Sequence, residues 1–284
     1  MMQEPNIGEM VMHHTADAYA IGIEPFFSIH WNRWPDVHLG PLTVNFTPTK
    51  HVVFLVVAAV LVFLTMRIAG KSLERQRAHE RAPKGFANAI EAMVLFVRND
   101  MAIANIGPEG AKYAPYIMSL FFFILYANVM GLIPHAATPT GNLAVTSALA
   151  LVTLGVVEIG GMVKLGLKGY LRTIFPAVPG LSGAWVVALP IIMAPIEVIG
   201  KLVKPFALAV RLFGNMTAGH FVILSLFGVI FLFGHVQVWN WGIGGITALL
   251  VVGVMCLELF VALLQAYVFA LLSAVFIGLM QHEH

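Results

Sequence analysis

The stretch VVALPIIMAPIEVIGKLVKPFALAVRLFGNMTAGHFVILSLFGVIFLF, residues 186–233, decides the fold of this chain. Its 48 residues would extend ~72 Å as one α-helix, more than twice the ~30 Å of hydrocarbon in a bilayer. After a turn at residues 235–242, a second overlong apolar run covers residues 243–280. We predict two long, strongly tilted helices that form one antiparallel hairpin. The alternative breaks the first run near Gly200–Pro205 into two spans, which would reverse the sidedness of everything downstream.

The composition of the chain is that of a membrane protein. Of its 284 residues, 59% are hydrophobic and 11% are charged, whereas a soluble domain carries about 25% charged residues. So few charges cannot cover a globule of this length with polar surface, and the remaining surface must face lipid. The single cysteine, Cys256, excludes an intrachain disulfide and a multi-thiolate metal site. No basic patch with interleaved aromatic residues is present, so we do not expect nucleic acid as a partner.

The order of polar and apolar segments predicts how the chain crosses the membrane. Residues 1–50 are mixed and polar and are interpreted as an outer tail, whereas residues 51–284 form the membrane domain, whose first span covers residues 51–70. A basic cluster follows this span, and such a cluster marks the cytoplasmic side. Its members are Lys71, Arg75, Arg77, Arg81 and Lys84. The N-terminus is therefore expected outside and the C-terminus in the cytoplasm.

The middle of the chain predicts one surface helix and two further spans. Residues 85–105 are apolar but interrupted by charges, a pattern typical of an amphipathic helix on the inner membrane face. Spans at 113–133 and 143–163 follow. The inside loops hold nearly all Lys and Arg residues, which favours the long hairpin over the broken alternative. The predicted fold class is an all-α membrane protein with about five membrane helices and one amphipathic interfacial helix.

Charged and polar side chains interrupt the first long run, where each charge costs about 2.5–3.5 kcal/mol at the bilayer centre. They are spaced by 4, 3, 7 and 4 residues and fall within ~80° of one another on one helix face. The set is Glu197, Lys201, Lys204, Arg211 and Asn215. An ion pair of Glu197 with Lys201 at i, i+4 is the structural alternative for its inner part. Arg211 lies mid-helix, and its guanidinium cannot release its proton.

The register of the hairpin predicts polar pairs at matching depths. Residue numbers at one depth of an antiparallel hairpin have a constant sum, and the centre of the predicted turn gives ~477. His220 and Glu258 sum to 478, and Arg211 and Gln265 to 476. Buried imidazole and carboxyl groups can both exchange protons near neutral pH, so the first pair suits a proton relay. Glu158, in the third span, either joins this outer pathway or packs helices through one hydrogen-bonded carboxyl.

Four short segments of the chain together resemble subunit a of the F-type ATP synthase. They are RLFGNMTAGH (211–220), KP (204–205), YANVMGLIP (126–134) and LLQAY (263–267). The resemblance covers most of the chain and implies a non-catalytic proton-channel subunit of the membrane sector, without a cofactor or bound metal. The implied partners are a rotating ring of c subunits, the b subunits of the peripheral stalk, the rest of the F1Fo complex and the lipid of a bacterial inner membrane.

The resemblance also implies a role for each polar residue of the hairpin. Arg211 looks like the essential arginine that faces the one membrane carboxylate carried by each ring subunit. Asn215 and Gln265 look like its polar neighbours. The residues that look like the two half-channels are His220 and Glu258 on the outer side and Glu197 on the inner side.

Two other protein classes also fit parts of the sequence. A secondary transporter would bury charges too, but it would often show two related halves or matching broken helices, and none is visible. The motif GLSG at 180–183 is similar to the GxSG of intramembrane serine proteases, with Ser182 as nucleophile, but no second feature accompanies it. The C-terminal His282, Glu283 and His284 are interpreted as a solvated tail end rather than a metal site.

Overall fold

The structure, a computed structural model, describes residues 18–23, 27–40, 42–45, 47–78, 85–133, 138–175, 185–233 and 240–282. A π-helical segment, Val97–Ile103, separates the second and third helices, and a 3-10 turn, Pro139–Gly141, precedes the fifth. The helices are α1 (Lys50–Ala78), α2 (Phe86–Phe96), α3 (Ala104–Ile106), α4 (Gly110–Met130), α5 (Leu143–Ile174), α6 (Trp185–Phe233) and α7 (Asn240–His282).

The predicted all-α membrane fold class is confirmed. Four candidate membrane spans occur in the described part of the chain, judged by length and composition: Lys50–Lys71, Gly110–Met130, Leu143–Ile174 and Gly244–Gln281. Helix α6 is the longest of all, at 49 residues. Its bounds and those of α7 agree within three residues with the two overlong runs of the sequence.

Helix α6 continues through the segment that the alternative interpretation would break. It contains Pro190, Pro195 and Pro205, and the helix runs on through all three positions. Each proline removes one backbone donor and opens the ladder of hydrogen bonds locally, a loss that membrane helices tolerate where neighbouring groups satisfy the freed carbonyls. The division near Gly200–Pro205 is therefore wrong, and the single long helix is correct.

The chain forms two compact units. Unit 1 comprises the described residues of Met1–Phe63, Phe123–Asn142 and Leu212–Gln265. Unit 2 comprises those of Leu64–Phe122, Leu143–Arg211 and Ala266–His284.

The N-terminal part of unit 1 contains two β-hairpins that the sequence did not predict. Strands β1 (Ala20–Ile23) and β2 (Phe27–His30) pair antiparallel, as do β3 (Val37–Leu39) and β4 (Leu42–Val44). Strands of three or four residues are too short to show a clear alternation of polar and apolar residues. The indole Nε1 of Trp31 donates to the carbonyl oxygen of Pro48 at 2.7 Å, which ties this region to the start of α1.

The helical part of unit 1 packs around small side chains. Ala58 of α1 and Ala127 and Met130 of α4 form a buried cluster. The antiparallel hairpin is set by a close approach of its two helices, where the carboxyl group of Glu258 lies directly against the α-carbon of Gly219. The residue numbers of this contact sum to 477, so the register predicted from the turn is confirmed.

Unit 2 is built from the end of α1, the chain from α2 through the first part of α4, all of α5, the first part of α6 and the end of α7. Val97, Met101 and Ala102 of the π-helical segment are buried, whereas the charged side chains on its other face are exposed, so the segment is amphipathic as predicted. The backbone of α3 packs against Gly278 of α7, where a Cβ atom would lie 3.1 Å from the carbonyl carbon of Asn105.

Helix α5 breaks at Gly166. This residue has φ 67° and ψ 169°, a region that is essentially restricted to glycine. The sequence predicted a span that ends at Val163, whereas helical structure resumes after the break and runs to Ile174. The break is therefore a kink that joins two helical segments of α5.

Candidate functional site

Arg211 presents its guanidinium on the surface of α6. The residue is exposed, and within the described part of unit 2 no hydrogen bond or ion pair reaches it. Its neighbours along the helix, Phe206 and Val210, are exposed apolar residues. A cation on a lipid-compatible surface is costly unless an anion or water meets it. The surface of Arg211 is therefore suited to a partner that carries a negative charge.

Gln265 and Asn215 are joined by a hydrogen bond inside unit 1. The side-chain nitrogen of Asn215 donates to Oε1 of Gln265 at 3.0 Å. Gln265 is 1% exposed, and its Nε2 has no hydrogen-bond acceptor among the described residues of this unit. Because an unsatisfied buried donor costs roughly 1–3 kcal/mol, this amide is a place where a proton acceptor or water would bind favourably.

Glu258 is buried with one free carboxyl oxygen. Its Oε1 has no hydrogen-bond partner in the part of unit 1 that the structure describes, and it lies against Gly219. The next residue along α6, His220, is half-buried and has an interaction partner of its own. The carboxyl group and the imidazole are therefore at the same depth of the hairpin, as the register predicted.

A second buried polar group in unit 1 was missed by the sequence analysis. Asn128 is fully buried; its Nδ2 donates to the carbonyl oxygen of Ala262 at 3.4 Å, and its Oδ1 accepts from the hydroxyl of Thr140 at 2.7 Å. Nδ1 of His51 lies 3.1 Å from the carbonyl oxygen of Thr138. Asn128 lies within the segment YANVMGLIP. A side-chain amide in the middle of an apolar span could have indicated this buried polar group from the sequence.

Glu158 belongs to a cluster of polar side chains in unit 2. Tyr170 donates a short hydrogen bond to its Oε2, and Nζ of Lys201 lies 3.8 Å from the same atom. Lys201 donates to Oγ1 of Thr173 at 2.8 Å and lies 4.7 Å from the centre of the Tyr170 ring, within cation–π range. The hydrogen bond of Glu158 therefore lies within α5, and its contact with α6 is the ion pair with Lys201. Tyr170 and Thr173 were not singled out from the sequence.

A cavity beside this cluster is lined by the carboxyl groups of Glu158 and Glu197. It has about 440 Å³ of empty volume, including the part open to the surroundings. Helices α5, α6 and α7 all contribute to its wall. The polar residues of the wall are Thr153, Glu158, Glu197, Lys201 and Lys204. Within the described ranges of unit 2 no ion pair reaches Glu197, so the i, i+4 pair with Lys201 that the sequence offered as an alternative is not formed.

Known proteins are similar to this chain over most of its length. The profile of the family described as ATP synthase A chain matches residues 51–278. "ATP synthase subunit a 2" of Chlorobaculum tepidum is 42% identical over 97% of this chain and 74% of its own length. "ATP synthase subunit a" of Chlorobium phaeobacteroides is 43% identical over 97% of this chain and 76% of its own, and that of Anaeromyxobacter dehalogenans 41% over 97% and 70%.

The chain belongs to the ATP synthase A chain family. The resemblance found in the sequence is therefore confirmed. This family is the proton-translocating component of the Fo membrane sector of ATP synthase, and the chain is a multi-pass membrane protein of that complex. The predicted roles of its individual polar residues stay predictions.

The remaining sequence hypotheses concern segments outside the described residues. Ser182 of the GLSG motif lies there, as do Glu283 and His284. Among the residues that the structure does describe, no group of three or more His, Cys, Asp or Glu side chains is arranged to hold a metal ion. The match to the ATP synthase A chain family supports neither of the two alternative functions, secondary transport or serine proteolysis.

Proposed function

We propose that the chain is the stationary proton channel of the membrane sector, with two aqueous half-channels that load and unload the carboxylates of a rotating c-ring. The observation that carries this proposal is Arg211, a permanent cation exposed on an apolar helix surface. A ring carboxylate that passes within ~4 Å would be attracted by ~4 kcal/mol at an effective dielectric constant of ~20. This attraction keeps the passing site ionised and prevents a proton from moving directly between the half-channels.

The outer half-channel uses Glu258 and His220. Glu258 is buried, and its free Oε1 is available to accept a proton. A proton handed from this pair to a ring carboxylate makes that site neutral, so that it can rotate through lipid at little cost. Asn215 and Gln265 are the polar neighbours of the exchange, and the unsatisfied amide of Gln265 can bind the water that carries the proton.

The inner half-channel uses the cavity of unit 2. Glu197 and Glu158 both line its wall, so Glu158 lies beside the proposed inner pathway rather than on the outer one. A membrane potential contributes ~2.3 kcal/mol per charge per 100 mV and biases the direction of rotation. The N-terminus is outside and the C-terminus is in the cytoplasm of a bacterial inner membrane. The chain itself is not an enzyme; its partners are the c-ring and the b subunits of the peripheral stalk.

The test is the replacement Arg211→Ala in inverted membrane vesicles that carry the whole complex. ATP-driven proton pumping, followed by quenching of a pH-sensitive dye, should be abolished, because nothing then keeps the half-channels apart. Arg98→Ala is the matched control, since Arg98 is also an exposed arginine but lies on the π-helical segment Val97–Ile103. Coupled pumping that survives the loss of Arg211 would show that the assignment is wrong.

A further inference from the structure

The ion pair of Lys201 and Glu158 is shielded from solvent. The two side chains are 11% and 17% exposed. Charges buried to this degree are held only with a partner, and removal of one partner leaves the other uncompensated. Lys201 has its three contacts, to Glu158, Tyr170 and Thr173, on the single helix α5. The arrangement is therefore a built receptor for one ammonium group.

The break at Gly166 makes this receptor possible. Glu158 and Tyr170 are 12 residues apart on α5, which is ~18 Å along a straight helix and beyond the reach of both side chains. The positive φ of Gly166 turns the following residues so that Tyr170 can bond to the carboxyl group. Thr173, one turn further on, then faces the ammonium group of Lys201.

We propose that the ion pair with Lys201 keeps Glu158 out of proton exchange, so that Glu197 is the carboxyl group of the cavity wall that exchanges protons with the inner water. This inference rests on the proposed inner half-channel. Two carboxyl groups in one cavity compete for a proton, because the charge of each makes the other easier to protonate. A fixed cation beside one of them removes that competition. Tyr170 and Thr173 act as positioning residues for the cation.

The charged and titratable groups around Glu158 are few. From α5 it faces Tyr170, and from α6 it faces Lys201, with Glu197 and Lys204 on the same cavity wall. Nζ of Lys204 lies 5.5 Å from the ring centre of Phe276 and makes no ion pair within the described residues of unit 2. The cavity residues contributed by α7 are all apolar, namely Phe276, Leu279 and Met280.

The test measures passive proton flow through Fo in vesicles stripped of F1, as a function of the pH on the inner side. Glu197→Gln should lower the flow at least about tenfold. Lys201→Met should change the pH profile, since Glu158 becomes a second exchanging group and the single transition splits into two. The double variant Glu158→Gln/Lys201→Met should restore a single transition and keep the flow within about twofold of the unmodified protein. Lys201→Arg, which keeps the cation, should show the unmodified profile.

The outcomes separate this inference from the proposed function. An unchanged flow in Glu197→Gln would overturn both. A loss of flow in Glu158→Gln/Lys201→Met as large as in Glu197→Gln would overturn only the inference, because Glu158 would then carry protons itself. A Lys201→Met profile identical to that of the unmodified protein would overturn it as well. Immunoblots of the vesicles report assembly; if Lys201→Met fails to assemble, the double variant and Lys201→Arg decide.

Discussion

Replacement of Gly219 by alanine should slow proton flow through the outer half-channel by displacing Glu258. The added Cβ atom would lie 2.9 Å from Cδ and 3.0 Å from Cγ of Glu258, and closer still to Oε1. Carbon atoms in contact are normally ~3.5–4.0 Å apart, so these two carbon atoms must retract by roughly half an ångström to an ångström, and Oε1 must retract further. Overpacking of this kind costs about 1–3 kcal/mol. If that cost falls on proton transfer, the flow should decrease by about five- to 150-fold.

The assay is passive proton flow in F1-stripped vesicles, with chain content normalised by immunoblot. Gly253→Ala is the matched control: Gly253 is also a helical glycine of unit 1, and no atom lies within 4 Å of an added Cβ. It should keep the flow of the unmodified protein. The double variant Gly219→Ala/Glu258→Asp, which shortens the carboxyl side chain by one methylene, should recover part of the loss. Equal flow in the two alanine variants, or no recovery in the double variant, would refute the reasoning.

Three other replacements probe the hairpin register, the break in α5 and the buried amide of unit 1. Exchange of His220 and Glu258 should retain more ATP-driven pumping than either single alanine replacement, because the two groups lie at one depth; an exchange that is no better would contradict the relay. Gly166→Ala should cost about 1–3 kcal/mol of strain and lower the thermal stability of detergent-purified Fo, whereas an unchanged midpoint would show that the break is not required. Thr140→Val leaves the buried carbonyl of Asn128 without its donor and should destabilise Fo by about 1–3 kcal/mol, whereas Thr140→Ser should not.

The long hairpin was predictable because its signal is length. An apolar run of 48 residues, followed by a short turn and a second overlong run, has few ways to fold in a bilayer. The position of the turn then sets the register, and the contact between Gly219 and Glu258 falls where the numbers place it. Periodicity along α6 also separates its polar stripe from its apolar surface, and Arg211 of that stripe is exposed.

The polar cluster of unit 2 was not predictable, because it depends on one backbone conformation. A positive φ at Gly166 brings Tyr170 back to Glu158, which lies 12 residues earlier. Glycine adopts positive and negative φ about equally readily, so the sequence does not show which conformation Gly166 has. The hairpins of the N-terminal region were missed for a different reason. Strands of three and four residues carry too little periodicity to be recognised in the sequence.

Lys201 pairs with Glu158 rather than with Glu197, the partner that sequence spacing offered as the structural alternative. Glu197 stands four residues before it on α6, and such i, i+4 pairs contribute only about 0.3–0.5 kcal/mol when they are exposed. Glu158 offers instead a carboxyl group already held by Tyr170, with a hydroxyl and an aromatic face beside it. In a low-dielectric setting the ammonium group of Lys201 is more stable beside Glu158, because each additional contact there offsets part of its desolvation cost. Among the described residues of unit 2, Glu197 is thereby left in the cavity wall without an ion pair, as the proposed proton-exchanging group of the inner half-channel.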